Sequence, residues 1–201
     1  MANATLNLLG YTAALGNPIL WTSNLTHTIN FAGLAGTAAL NLTEPDGFYA
    51  SLTLSNAPST ALVYSGVLSD SSTAATLTKI GTGTQWLIGT NTYVGDTTVS
   101  GGVLGISTVH AGNGNFIIAD GAGLAVTNVG NATTAAIASL TLGTGGATSL
   151  TFQRVADPAT KIINCAGAVT LNGTTTVTIS GTNGLAAGNT YPLLGDRKSV
   201  V

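Results

Sequence analysis

Seven glycines fall between Leu77 and Ile106, at positions 81, 83, 89, 95, 101, 102 and 105. They cut the stretch LTKIGTGTQWLIGTNTYVGDTTVSGGVLGI into runs too short for a helix. The segments between them carry Thr, Val, Ile, Leu, Trp and Tyr, residues that suit an extended, half-buried backbone. Runs of roughly three to six residues are strand-sized. From Thr97 to Val103 apolar and small polar residues alternate, so that one face of the strand can point inward. No apolar stripe with a 3.6-residue period competes with this reading.

The order of residues in this stretch is similar to the autotransporter-associated β-strand repeat, also called the passenger-associated transport repeat. Leu77-Thr78-Lys79, Gly81, Gly83, Leu87, Gly89, Asn91-Thr92-Tyr93, Gly95, Thr97, Val99, Gly102 and Leu104 follow its pattern in sequence. The chain departs from it at Gln85-Trp86, where the repeat carries Leu and then a small polar residue, and either of the two could face inward. The resemblance implies a right-handed parallel β-helix in a secreted or surface-displayed bacterial protein. It implies no catalytic residue, because the repeat carries none.

The same beat continues along the chain. Strands are expected at Leu6–Leu9, Ile19–Trp21, Thr28–Phe31, Ala39–Leu42, Ser51–Leu54 and Leu62–Leu68. After the repeat they are expected at Asn115–Ile118, Leu124–Val126, Ser139–Leu142, Ser149–Phe152, Lys161–Asn164, Ala168–Leu171 and Thr175–Ser180. Asn172-Gly173 and Asn183-Gly184 are turn dipeptides that accept positive φ. Thr134 to Ser139 has alanine enough for a helical turn, but Thr and Ile dilute it. Parallel neighbours normally need a long crossover, and no helical crossover is visible. Two all-β architectures remain: a β-solenoid with coils of roughly 20 to 25 residues, or an antiparallel β-sandwich. The Thr- and Asn-rich runs, the scarcity of aromatics and the repeat favour the solenoid.

Residues 1–195 are therefore expected to form a single β-helix segment, a fragment of a longer passenger. Asp196-Arg197-Lys198 bring three of the twelve Asp, Glu, Lys and Arg residues into a six-residue end, and from that shift 196–201 is expected to be a non-native tail, the other reading being a solvated terminus. MANATLNLLGYTAALG has neither a basic n-region nor an unbroken apolar h-region, so the true start is expected upstream. Exposed ends of a solenoid present unpaired backbone and are expected to associate end to end.

Only 6% of residues are charged, against about 25% in an average soluble domain. A net charge of −2 provides no field for nucleic acid. No run approaches the roughly 18 apolar residues of a membrane helix, so no membrane insertion is expected within the segment. The lone Cys165 excludes an internal disulfide and reads as a small buried hydrophobe.

Gly81-Thr82-Gly83 and Gly112-Asn113-Gly114 lack the third glycine of a dinucleotide fingerprint and read as turns. Glu44-Pro45-Asp46-Gly47 is a turn with too few oxygen ligands for Ca²⁺. His27 and His110 have no paired-ligand spacing and read as surface or packed side chains. Arg154, Asp157 and Lys161 could serve an acidic polysaccharide but read more simply as a solvated loop. Trp86, if outward, could stack on a sugar, and otherwise fills a groove.

No catalytic, cofactor-binding or metal-ligating residue and no cofactor is assigned. The expectation is a non-catalytic stalk, display scaffold or adhesive passenger, extracellular or on the bacterial surface. Its partners would be extracellular glycans or neighbouring surface proteins. The alternative is a carbohydrate-active β-helix enzyme or a carbohydrate-binding module.

Overall fold

A computed structural model of the chain describes residues 4–15, 27–38, 40–41, 50–70, 75–130, 133–155, 159–181, 185 and 187–195. The early coils contribute β1 (Ala4–Leu15), β2 (His27–Gly36), β3 (Leu40–Asn41), β4 (Ala50–Ser55), β5 (Ala61–Tyr64) and β6 (Leu68–Ser69). The glycine-rich stretch supplies β7 (Thr76–Ile80), β8 (Thr84–Leu87), β9 (Thr97–Val99) and β10 (Val103–Ser107). Next come β11 (Asn115–Ile118), β12 (Gly123–Thr127), β13 (Ala135–Ile137), β14 (Ser139–Leu142) and β15 (Ala147–Gln153). The last are β16 (Ile163–Cys165), β17 (Val169–Leu171), β18 (Thr174–Ser180) and β19 (Leu194–Gly195). Among the described residues there is no helix.

Apart from β1 on β2, paired strands among the described residues are not consecutive in the chain. The first side of the rod stacks β1, β2, β4, β7, β9, β11, β14 and β17, and the second stacks β5, β8, β10, β12, β15 and β18. Strand β2 turns the corner between them: His27 to Phe31 pair with β4, and Gly36 pairs with Tyr64 of β5. The third side is carried by β3 on β6 and by β13, β16 and β19. Between those groups single backbone bonds take over, from Thr92 N to Leu68 O (2.8 Å), Ala111 N to Asn91 O (2.9 Å) and Ala136 N to His110 O (2.9 Å). Every strand pairing among the described residues is parallel, which makes the fold a β-solenoid and removes the antiparallel sandwich.

Fixed register turns alternation into columns. Ile29, Leu52, Leu77, Thr97, Phe116, Leu140 and Val169 lie one above another, giving coils of 23, 25, 20, 19, 24 and 29 residues. A second inward column runs Phe31, Leu54, Lys79, Val99, Ile118, Leu142, Leu171. On the second side Tyr64, Leu87, Ile106, Val126, Phe152 and Ile179 form another. Most of these side chains are fully buried, and each large apolar one contributes about 1.5–3 kcal/mol relative to exposure. At the last coil the columns come to the surface: Leu171, Val177 and Ile179 are 59, 54 and 43% exposed.

Most expected strands are present within a residue or two. Leu62–Leu68 is two strands, broken at residues 65–67 where the chain rounds a corner. The alanine-rich Thr134–Ser139 segment holds a strand, Ala135–Ile137, because pairing with β16 outweighs its weak helix preference. Ile19–Trp21, Glu44-Pro45-Asp46-Gly47, Asn183-Gly184 and the tail 196–201 lie outside the described residues.

Glycine is needed where one corner sits on the next. Gly102 has φ +62°, and a Cβ there would stand 2.2 Å from the carbonyl oxygen of Gly83 in the coil beneath. Gly121 has φ +79° but open space around it. Gly102→Ala is therefore expected to cost about 2–4 kcal/mol and Gly121→Ala about 1–2 kcal/mol, by urea unfolding midpoints. Equal losses would contradict the close stacking of corners.

Candidate functional site

The polar residues of the interior gather around β7–β11, in the stretch singled out by its glycines. Lys79 takes a position that apolar residues hold above and below it, facing in between Leu54 and Val99. It is fully buried. Gly81, at φ +73°, turns the chain. The Lys79 Nζ donates to Ile80 O (2.8 Å), Gly81 O (3.0 Å) and Gly101 O of the next coil (3.1 Å). An ammonium has three protons to donate, and three carbonyls take them. Burial pushes its pKa down to about 8, so the group is mainly charged at neutral pH and bound to carbonyls that favour the charge.

Gln85 settles the two-residue departure from the repeat: it points inward and Trp86 outward. β5 meets β2 only at Gly36, and the Gln85 amide serves the Leu34 backbone instead. Its Nε2 donates to Leu34 O (2.9 Å) and its Oε1 accepts from Leu34 N (2.9 Å) and Asn56 Nδ2 (3.2 Å). Asn91 Oδ1 accepts from Leu68 N (2.9 Å) while its Nδ2 donates to Leu87 O (3.2 Å). Thr97, the polar break in its column, shares a 2.7 Å hydroxyl bond with buried Tyr93.

Carboxylates do similar work at the corners. Asp70 accepts from Ala75 N (2.9 Å) and Val94 N (3.1 Å); burial raises its pKa, against the pull of those donors. Asp120 accepts from the hydroxyl and backbone N–H of Thr144 (2.6 and 2.8 Å), which lower its pKa. A shallow hollow of about 220 Å³ beside it is lined by Gly121, Ala122, Ala147, Thr148 and Ser149, none of them titratable.

His110 behaves differently. It is 1% exposed, lies edge-on to Tyr93 (5.5 Å) and Phe116 (5.4 Å), and neither ring nitrogen has a hydrogen-bond partner. Burial pulls its pKa down to about 4. The imidazole is therefore neutral at pH 7. It is the packed histidine the sequence allowed for; the side chain of His27 lies outside the described residues.

The remaining candidates do not converge. Arg154 and Lys161 are both exposed, and Asp157 lies outside the described residues. Arg154 follows β15 directly, with φ 59° and its N–H bonded to Ser180 O (2.9 Å), a role in the backbone. Trp86 fills the outer space over Gly105, where a Cβ would meet the indole at 2.1 Å. Cys165 is buried, with its Sγ 3.6 Å from Ala138 O and Ala168 O. Among the described residues no three His, Cys, Asp or Glu side chains gather as a metal site. Sequence reasoning missed Lys79 and Gln85 as interior links. A charged residue two positions from Leu77, in inward phase, was the available signal. The sequence matches no family model, no curated protein and no solved structure.

Lys79→Met, which keeps the length and removes the donor, is expected to cost about 2–4 kcal/mol in urea unfolding, because three carbonyls lose a charged partner. For His110 the folded pKa lies below the unfolded 6.5, so its contribution is complete above that pH and is lost as pH falls toward 4. Relative to His110→Leu, the folding constant of the unaltered chain should fall by up to about tenfold per pH unit across that window. Parallel pH profiles would contradict the buried neutral imidazole.

Proposed function

We propose that the chain is a non-catalytic structural or adhesive segment of a secreted or surface-displayed bacterial β-helix protein, working as a stalk, display scaffold or autotransporter passenger. One observation carries the reading: the buried polar groups Lys79, Gln85 and Asn91 each bond the backbone of another coil, so their chemistry stiffens the rod. The order of Leu77–Leu104 supports it through its similarity to the passenger repeat. The low charge supports it as well, since a neutral rod of hydroxyls and amides suits contact with glycans or neighbouring surface proteins. The exposed Leu171, Val177 and Ile179 suit end-to-end stacking on a further coil or copy.

A second reading is favoured by Trp86. An outward indole on an uncharged sheet is a stacking surface for a sugar ring, which would make the segment a carbohydrate-binding module.

Antibodies raised against the chain are expected to label intact cells of the encoding organism, and the purified chain should release no products from acidic or neutral polysaccharides. Labelling only after permeabilisation would contradict display. Product release that disappears in Arg154→Ala would replace the scaffold with an enzyme. Glycan binding abolished by Trp86→Ala would select the second reading.

A further inference from the structure

The outer side of the sheet formed by β4, β7, β9, β11, β14 and β17 carries a column that spans these six rungs and continues into β2 as Asn30. Thr53, Thr78, Thr98, Ile117, Thr141 and Thr170 are in register, each opposite the next, with no slip between rungs. Among the described residues none of these five threonine hydroxyls bonds within the protein. The adjoining column instead pairs internally, through Thr76 with Ser51 (3.2 Å), Asn115 with Asp96 (2.8 Å) and Ser139 with Asn115 (2.6 Å). The free column therefore presents a hydroxyl and a methyl at each threonine, repeating at the rung spacing of about 4.8 Å. Ile117, 40% exposed, continues the apolar line.

The chemistry of this face narrows its partner. Nucleic acid requires cations, and the outward positions of these strands carry none. A glycan or protein partner is normally anchored by Trp, Tyr or Arg, which are also absent from those positions. Asp96 is the charged neighbour, and its carboxylate is occupied by Asn115. What remains is a repeating, uncharged pattern held rigid by a hydrogen-bonded sheet. It suits a repeating, uncharged partner that gains from many equal weak contacts and needs no anchor.

We propose that this threonine face binds ice. Each hydroxyl can donate to and accept from lattice water, and each methyl orders the water beside it. A charged side chain would hold water in a competing geometry. The proposal does not rest on display at a cell surface.

The test is ice recrystallisation and the gap between freezing and melting points, measured on the whole chain. The unaltered protein should suppress recrystallisation and open a gap. Thr78→Lys with Thr141→Lys should lose both effects at an unchanged thermal midpoint, whereas Thr151→Lys, outward on the second side, should keep them. Should the lysine pair fail to fold, Thr98→Ser with Thr141→Ser, which removes only methyls, should still weaken the effect. An unaltered chain without effect on ice, or an equal loss in Thr151→Lys, would overturn the proposal.

Discussion

In-register hydrogen bonding of each coil to the next holds this rod together, and the other features follow from it. Because pairing is parallel and, among the described residues, slips only between Leu8 and Thr12 of β1, a residue facing inward in one coil lies over an inward residue in the next. Apolar side chains then stack into columns, and the core becomes a line rather than a globule. Strand pairing alone supplies the continuity that helices supply in other parallel sheets.

The same constraint explains the buried polar groups. A corner tight enough to stack on its neighbour turns carbonyls away from solvent, and each of them needs a donor. Lys79 gathers carbonyls from its own corner and from the corner of the next coil. Gln85 replaces the ladder where β2 and β5 separate. Asp70 and Asp120 accept from loop N–H groups in other coils. In a chain with only twelve Asp, Glu, Lys and Arg residues, four among the described ones, Lys79, Asp70, Asp96 and Asp120, bond from coil to coil. His110 is the exception, a neutral ring accommodated by aromatic edges in place of hydrogen bonds.

The architecture was legible because its signal is periodic. Glycine spacing set the strand length, alternation set the faces, and the absence of helical crossovers left few topologies. The details that failed were local. Leu62–Leu68 reads as one strand, yet a corner at residues 65–67 divides it, and the turn-type dipeptide Ser65-Gly66 was the signal that its apolar neighbours outweighed. Ala135–Ile137 is a strand because β16 lies beside it, a fact set by residues nearly thirty positions away. Lys79 was visible as a repeat position, but its role depends on Gly101, which only coil stacking brings within reach. The Arg154 and Lys161 charges were legible as a solvated loop, and the structure leaves both exposed.

The columns, the interior cross-links and the outer threonine line all derive from the rung register. Thr53→Cys and Thr141→Cys, spin-labelled in a Cys165→Ala background, would report it directly by the distance between the labels. The register places them four rungs apart on one outer column, so the distribution should be narrow and centred near about 19 Å. A broad distribution with no component at that separation would contradict it.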